Sequence, residues 1–265
     1  MLPYSRFAVI VALTASLSLT ACASTHTTSA AEQAEIKATN DPFEGVNRVI
    51  FDFNDFLDRL LIAPLAGLYR VTVPPPVRDR VANILSNMSE PVIMANNLLQ
   101  GEFGKAGTTF GRLVTNSTLG VGGIFEVANG FGMRQQQGDF GQTLHVWGAG
   151  SGPYIVLPLF GPSNVRDAVG LGVDTVMSPW KYIVATGGTT IEDTYTIADT
   201  SASALSRRES VLEAYDSLKK GSLDFYAQMR SVYRQHRAKE LGETLPSSMP
   251  KFEDYDSEAN TPIVQ

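Results

Sequence analysis

The sequence predicts a mainly α domain, and three observations carry that prediction. Apolar residues recur at three- and four-residue spacing in several separate stretches. Combinations of Asp or Ser with Pro and Glu stand just ahead of those stretches, where helices start. Eleven of the 23 glycines fall between residues 120 and 161, so irregular structure is expected mostly there.

The first helix opens at Asp41-Pro42-Phe43-Glu44. Asp41 suits the N-cap, Pro42 the first helical position and Glu44 the third, a capping-box arrangement. Val46, Val49, Ile50, Phe53, Phe56, Leu57, Leu60 and Leu61 then make an apolar stripe. Asn47, Arg48, Asp52, Asn54, Asp55, Asp58 and Arg59 occupy the other side. The stripe has the width of a core-facing helix in any globular protein. Its polar face, mostly Asp and Asn, lacks the Lys/Arg bias of helices that lie on membranes.

Pro74-Pro75-Pro76 breaks the chain, and a second helix is expected through Val77, Val81, Ile84 and Leu85. Ser89-Glu90-Pro91 reads as a new start leading into Val92 to Leu99, with Glu90 as a first-turn charge. Phe103 to Leu119 is again apolar-periodic. Ser178-Pro179 is a later start. Ser206, with Glu209 three residues on, heads one long helix through Leu212, Tyr215, Leu218, Phe225, Met229 and Val232.

Within the glycine-rich segment, Thr143 to Trp147 and Tyr154 to Leu157 read as small strands or extended turns. Gly141, Gly148, Gly150 and Gly152 make this segment a candidate mobile gate, a turn-rich connector being the plainer reading. Trp147, Tyr154, Trp180 and Tyr182 suit either a membrane interface or a packed core.

The N-terminus sets the compartment. Arg6 precedes an apolar run from Phe7 to Leu19 that is too short to span a bilayer, and Leu19-Thr20-Ala21-Cys22 follows. Cys22 is the only cysteine, so it forms no internal disulfide. This resembles the bacterial lipoprotein signal, in which Cys22 carries the acyl chains. The expected organisation is a signal peptide at 1–21, an anchor and flexible linker at 22–40, a helical domain at 41–241 and an acidic disordered tail at 242–265. Removing Arg6 with the signal leaves 20 basic against 27 acidic residues. That balance argues against nucleic acid as a partner and supplies no polybasic grip on anionic lipid. Attachment then rests on acyl chains and apolar surface, each buried methylene contributing about 0.8 kcal/mol.

Motifs for nucleotide, metal or cofactor chemistry are missing: there is no Walker loop, no Rossmann fingerprint, no His-Glu-x-x-His and no Cys-x-x-Cys. No cofactor and no metal are expected. A serine hydrolase built on His145 with Ser151 or Ser163 has no supporting spacing.

Four phrases resemble the MlaA/VacJ family of outer-membrane lipoproteins. They are Asp41-Pro42-Phe43-Glu44-Gly45-Val46-Asn47-Arg48; Ser86-Asn87-Met88-Ser89-Glu90-Pro91 with Asn96-Asn97-Leu98-Leu99-Gln100-Gly101; Arg112 to Gly123; and Phe140-Gly141-Gln142-Thr143-Leu144 continuing to Gly161-Pro162-Ser163-Asn164-Val165-Arg166-Asp167. Glu126 stands where an aspartate is common. The resemblance implies a ring-like helical protein, not an enzyme, embedded in the inner leaflet of the outer membrane. It also implies association with a trimeric porin and an amphipathic conduit that hands misplaced phospholipid to a soluble periplasmic carrier. An envelope lipoprotein that only scaffolds porins is the alternative. For a lipid phosphate, Arg166 with neighbouring Asp167 is the candidate contact because a guanidinium forks onto phosphate oxygens. Lys181 and Arg112 are further candidates. A capping pair at the start of a helix is the plainer account of Arg166-Asp167.

Overall fold

The computed structural model describes residues 40–185 and 189–243. The signal peptide, Cys22, the linker up to 39 and the acidic tail beyond Glu243 lie outside the described residues. From Asp41 onward the described chain belongs to one unit. It is helical throughout, apart from one short hairpin and the glycine-rich connections.

Helix α1 (Glu44–Leu57) runs through a π-helical turn (Asp58–Ile62) into α2 (Ala63–Thr72). Pro64 has no N–H for the Leu60 carbonyl, and the wider turn absorbs that lost bond without ending the helical path. Asp41 is not the N-cap: α1 begins at Glu44 with Phe43 at the cap, and no side chain caps it. The Asp41 carboxylate is fully buried and already committed to Arg230, Tyr226 and Asn47.

Helix α3 (Pro75–Leu99) corrects the expectation of two helices. It is one element, and Ser89-Glu90-Pro91 lies inside it. Pro75 and Pro76 are tolerated in the first turn, where N–H groups have no helical partner. Pro91 removes one ladder bond in mid-helix, yet packing along α4 (Phe103–Thr118) holds the helix together across it. Gly101, at φ +77, turns the chain between the two helices in the left-handed region that glycine favours.

A 3₁₀ turn (Ala128–Phe131) leads to α5 (Phe140–Val146). Thr143 to Val146 is therefore helix, not strand. The reason is local: Asp139 accepts from the Gln142 N–H at 2.8 Å and caps a helix there. The antiparallel hairpin β1 (Tyr154–Leu157) and β2 (Gly161–Asn164) follows. Asn164 then caps α6 (Val165–Met177), its side chain accepting from the Asp167 N–H at 2.8 Å. Helices α7 (Pro179–Ala185), α8 (Thr189–Ser210), α9 (Leu212–Gly221) and α10 (Phe225–Leu241) complete the chain. The single long helix expected from Ser206 is thus three elements, with Ser206 inside α8. The break before α10 is set by Asp224, which caps Ala227 and is held by Arg48 from α1.

Two asparagines on α1 fasten the hairpin. Asn47 donates to the Tyr154 carbonyl at 3.1 Å and accepts from the Val156 N–H at 3.0 Å. Two turns on, Asn54 donates to the Leu157 carbonyl at 2.9 Å and accepts from the Leu159 N–H at 2.8 Å. A carboxamide carries one donor side and one acceptor side, as a peptide group does, so each side chain substitutes for a neighbouring strand. Val156 faces Pro162 across the hairpin, and its N–H donates away from the partner strand to Asn47. Beneath the hairpin lies a small aromatic core of Phe51, Tyr154, Val156 and Tyr226, with edge-on rings.

Replacing Asn47 by Ala is expected to cost about 1–3 kcal/mol for each buried group left unpaired. Asn54→Ala, nearer solvent at the hairpin tip, should cost less. Denaturant unfolding of the two variants in detergent checks the order.

Candidate functional site

The distribution of polarity is the reverse of an ordinary globular domain. The buried large side chains are mostly polar or charged, including Asn47, Asn87, Glu90, Asn96, Asn97 and Arg112. Outside, α1 exposes Val46, Val49, Phe53 and Phe56, and α2 exposes Leu65, Leu68 and Val71. The apolar stripe of α1 thus faces outward and part of its Asn/Asp side faces inward. The hairpin tip adds Leu159 and Phe160, which are 68% and 67% exposed, with Leu159 held at φ +69. A leucine in that region is uncommon, and Asn54 secures its N–H. Among the described residues no helix is long and apolar enough to cross a membrane.

Buried polarity demands pairing, and the interior supplies it in clusters. Arg112 on α4, 1% exposed, donates to Glu90 on α3 at 2.7 Å, to Glu126 at 2.9 Å and to the Met133 carbonyl at 2.7 Å. Burial pushes the Glu90 carboxyl up, and the Arg112 guanidinium acts against that rise. Arg237 on α10 reaches both oxygens of Asp139 and both of Asp167, so one side chain ties the starts of α5 and α6 to the last helix. Burial opposes ionisation of Asp167, but Arg237, Tyr233 and Arg166 together hold its carboxyl below the usual range. Arg230, a helical turn or two before, clasps Asp41 at 2.6 Å. Arg208 on α8 binds Asp58 in the π-helical turn and Asp216 on α9.

A cavity of about 440 Å³ opens between α3, α6 and α8. Its wall is mixed: Leu85, Met88 and Val92 are apolar, several serines are polar, and Asp174, Asp199 and Arg207 are charged. Asp174 is anchored, accepting from the Phe140 N–H and from Asn96 Nδ2 at 2.7 Å. Asn96 in turn accepts from the Thr143 hydroxyl at 2.9 Å. Burial pushes the carboxyls of both Asp174 and Asp199 up from their ordinary value.

The structure separates the four candidate phosphate contacts. Arg112 is enclosed, and each of its guanidinium nitrogens already donates to Glu90, Glu126 or the Met133 carbonyl. Asp167 is spent on Arg237, Tyr233 and the α6 cap. Arg166, 5% exposed, lies beside Asp167 and within 3.3 Å of His145 Nδ1. Its backbone N–H bonds the Ser151 carbonyl, which makes it a brace for the glycine turn. Lys181 is half-buried on α7.

Gly141 is a packing residue within α5, where a Cβ would fall 2.6 Å from Asp167 Oδ1 and 2.7 Å from Arg237 Nη2. It meets Gly170 of α6, whose Cβ would fall 2.4 Å from the Gly141 nitrogen. Gly148, Gly150 and Gly152 lie in the turn from α5 to β1, with φ +90 at Gly148 and +68 at Gly152. The hydrolase arrangement is not assembled. Ser151 and Ser163 donate to main-chain carbonyls, and His145 Nδ1 faces Arg166 and Glu243. Tyr154 is core, Trp147 and Tyr182 are exposed, and Trp180 lines the cavity.

Sequence reasoning missed Asp174, Tyr195, Asp199 and Arg207. A signal was present on α8, where Tyr195, Asp199, Ser203 and Arg207 repeat at four-residue spacing, a polar stripe on one helix face.

Two predictions follow from the ion clusters. Arg112→Met leaves Glu90 buried without its cation and should cost about 3–5 kcal/mol, while adding Glu90→Leu should recover much of it. Unfolding of both variants tests this. The stabilisation from Asp167 is fully present above its unfolded value near pH 4 and is lost as pH falls through its lower folded value. Asp167→Asn should therefore flatten the acid limb of a plot of unfolding midpoint against pH.

The chain matches the family model described as MlaA lipoprotein over residues 39–240. An intermembrane phospholipid transport system lipoprotein MlaA of Escherichia coli K12 is 32% identical over 235 residues, covering 83% of this chain and 89% of the relative. An uncharacterized protein of Rickettsia bellii is 34% identical over 220 residues, 82% of this chain and 83% of its own. A solved structure, reported as the structural basis for maintenance of bacterial outer membrane lipid asymmetry, superposes with a TM-score of 0.65 at 31% identity. That match covers 76% of this chain and 98% of the solved one. With the family model matched over residues 39–240, a relative 32% identical over most of both chains and a shared helical fold, this chain belongs to the MlaA lipoprotein family.

Proposed function

We propose that this protein is a non-enzymatic lipoprotein of a phospholipid-transport system. Anchored through acylated Cys22 in the outer membrane, it removes mislocalised phospholipid from the outer leaflet and passes it to a soluble periplasmic carrier. The observation that carries this reading is the inverted polarity. A phospholipid needs a polar path for its head, which hydrocarbon rejects, and an apolar environment for its tails, which water rejects. Outward-facing Val49, Phe53, Leu68 and Phe160 suit a hydrocarbon surround, and the cavity between α3, α6 and α8 offers polar groups to a head. Large apolar side chains left exposed along α1, α2 and the hairpin tip are the kind of surface that lipid or a partner covers. A trimeric porin beside part of that surface would keep the protein at a fixed depth in the membrane.

The test is the amount of phospholipid exposed in the outer leaflet of living cells with the gene deleted and then restored. Deletion should raise it, the wild-type protein should reverse the rise, and Cys22→Ala should fail to. If exposure is unchanged on deletion while a porin still copurifies, the protein is a scaffold and not a conduit.

A further inference from the structure

The same cavity carries both signs of charge, and this inference rests on the conduit reading above. Among its described lining residues, Asp174, Asp199 and Arg207 are the charged ones, and together they carry a net charge of -1. Asp174 is fixed by Phe140 and Asn96. Asp199 and Arg207 lie eight residues apart on α8, about 12 Å along the helix axis, with Ser203 between them on the same face. The charge of Arg207 reaches the Asp199 carboxyl, and among the described residues neither side chain forms an ion pair like those of Arg112 or Arg237. Tyr195 and Trp180 also line the cavity. Aromatic rings attract cations.

We infer that the cavity accepts a zwitterionic, ammonium-bearing phospholipid head group in preference to an anionic one, with Asp199 as the ammonium contact and Arg207 as the phosphate contact. An ammonium and a phosphodiester joined by a short link answer both charges in one head. A glycerol head answers Arg207 alone and brings an uncompensated negative charge to a wall that is already negative. Opposite and like charges both count for more in a partly desolvated cavity than at an open surface. The volume, about 440 Å³, lies within the range of small-molecule sites, roughly 300–1,000 Å³. It accommodates a head group and leaves the acyl chains outside.

The experiment uses full-length acylated protein in detergent, incubated with equal amounts of phosphatidylethanolamine and phosphatidylglycerol. Protein-bound lipid is then extracted and quantified by mass spectrometry. Wild type should enrich phosphatidylethanolamine by roughly fivefold, the scale of one charge contact. Asp199→Asn should bring the ratio near one without lowering total bound lipid, Asp199→Glu should preserve it, and Arg207→Gln should lower both lipids. Equal binding by wild type, or a ratio unchanged in Asp199→Asn, overturns the head-group assignment while leaving the conduit standing. Wild-type protein that binds neither lipid overturns both.

Discussion

A buried ion must meet its counter-ion inside the fold, and four arginines organise this structure by meeting theirs. Removing one partner of such a pair leaves an uncompensated charge, at a cost of about 3–5 kcal/mol, which is a large share of a domain's net stability. Arg112 joins α3, α4 and the segment through Glu126 and Met133. Arg208 joins the π-helical turn to α8 and α9. Arg230 holds the entry to α1, and Arg237 the entries to α5 and α6. Arg208, Arg230 and Arg237 connect elements distant in sequence and Arg112 locks two consecutive helices to the segment after them, so the arrangement of helices depends on polar contacts where most proteins use apolar ones.

That choice frees the apolar side chains for the exterior. Phe51 stays in the small core, while Val49 and Phe53 on the same helix turn outward. The asparagines that would face water on a soluble helix instead bond the hairpin backbone. Directional bonds of this kind tolerate little slippage, because a carboxamide shifted by one residue would meet a side chain where it needs a carbonyl or an N–H. The structure is therefore held by specific geometry more than by area.

Glycine serves that geometry as well. Gly141 and Gly170 let α5 and α6 approach until no Cβ fits between them, and this closeness brings Asp139 and Asp167 within reach of one guanidinium. Gly148 and Gly152 after α5 do something different: their positive φ angles turn the chain sharply from helix to hairpin. One glycine-rich phrase thus contains a rigid crossing followed by a turn.

Helical character, the positions of most apolar stretches and the family phrases were legible in the sequence, because helical periodicity and capping are local. The helix start at Arg166-Asp167 was legible for the same reason, although the cap itself is Asn164. The direction of each helix face was not. Spacing shows that α1 has two faces but is silent on which one a protein with a polar interior turns inward. Helix limits failed wherever a distant partner intervened: Asp41 was taken from its cap by Arg230, α3 continued through Pro91 alongside α4, and α10 began where Arg48 held Asp224. Arg112 read as an available cation because its partners Glu90 and Glu126 lie 22 and 14 residues away. The sequence by itself determined that the domain is mainly helical and which family it belongs to. Only the tertiary structure decided which charges are spent inside and which, like Asp199 and Arg207, line a cavity, since pairing depends on distance in space and not along the chain.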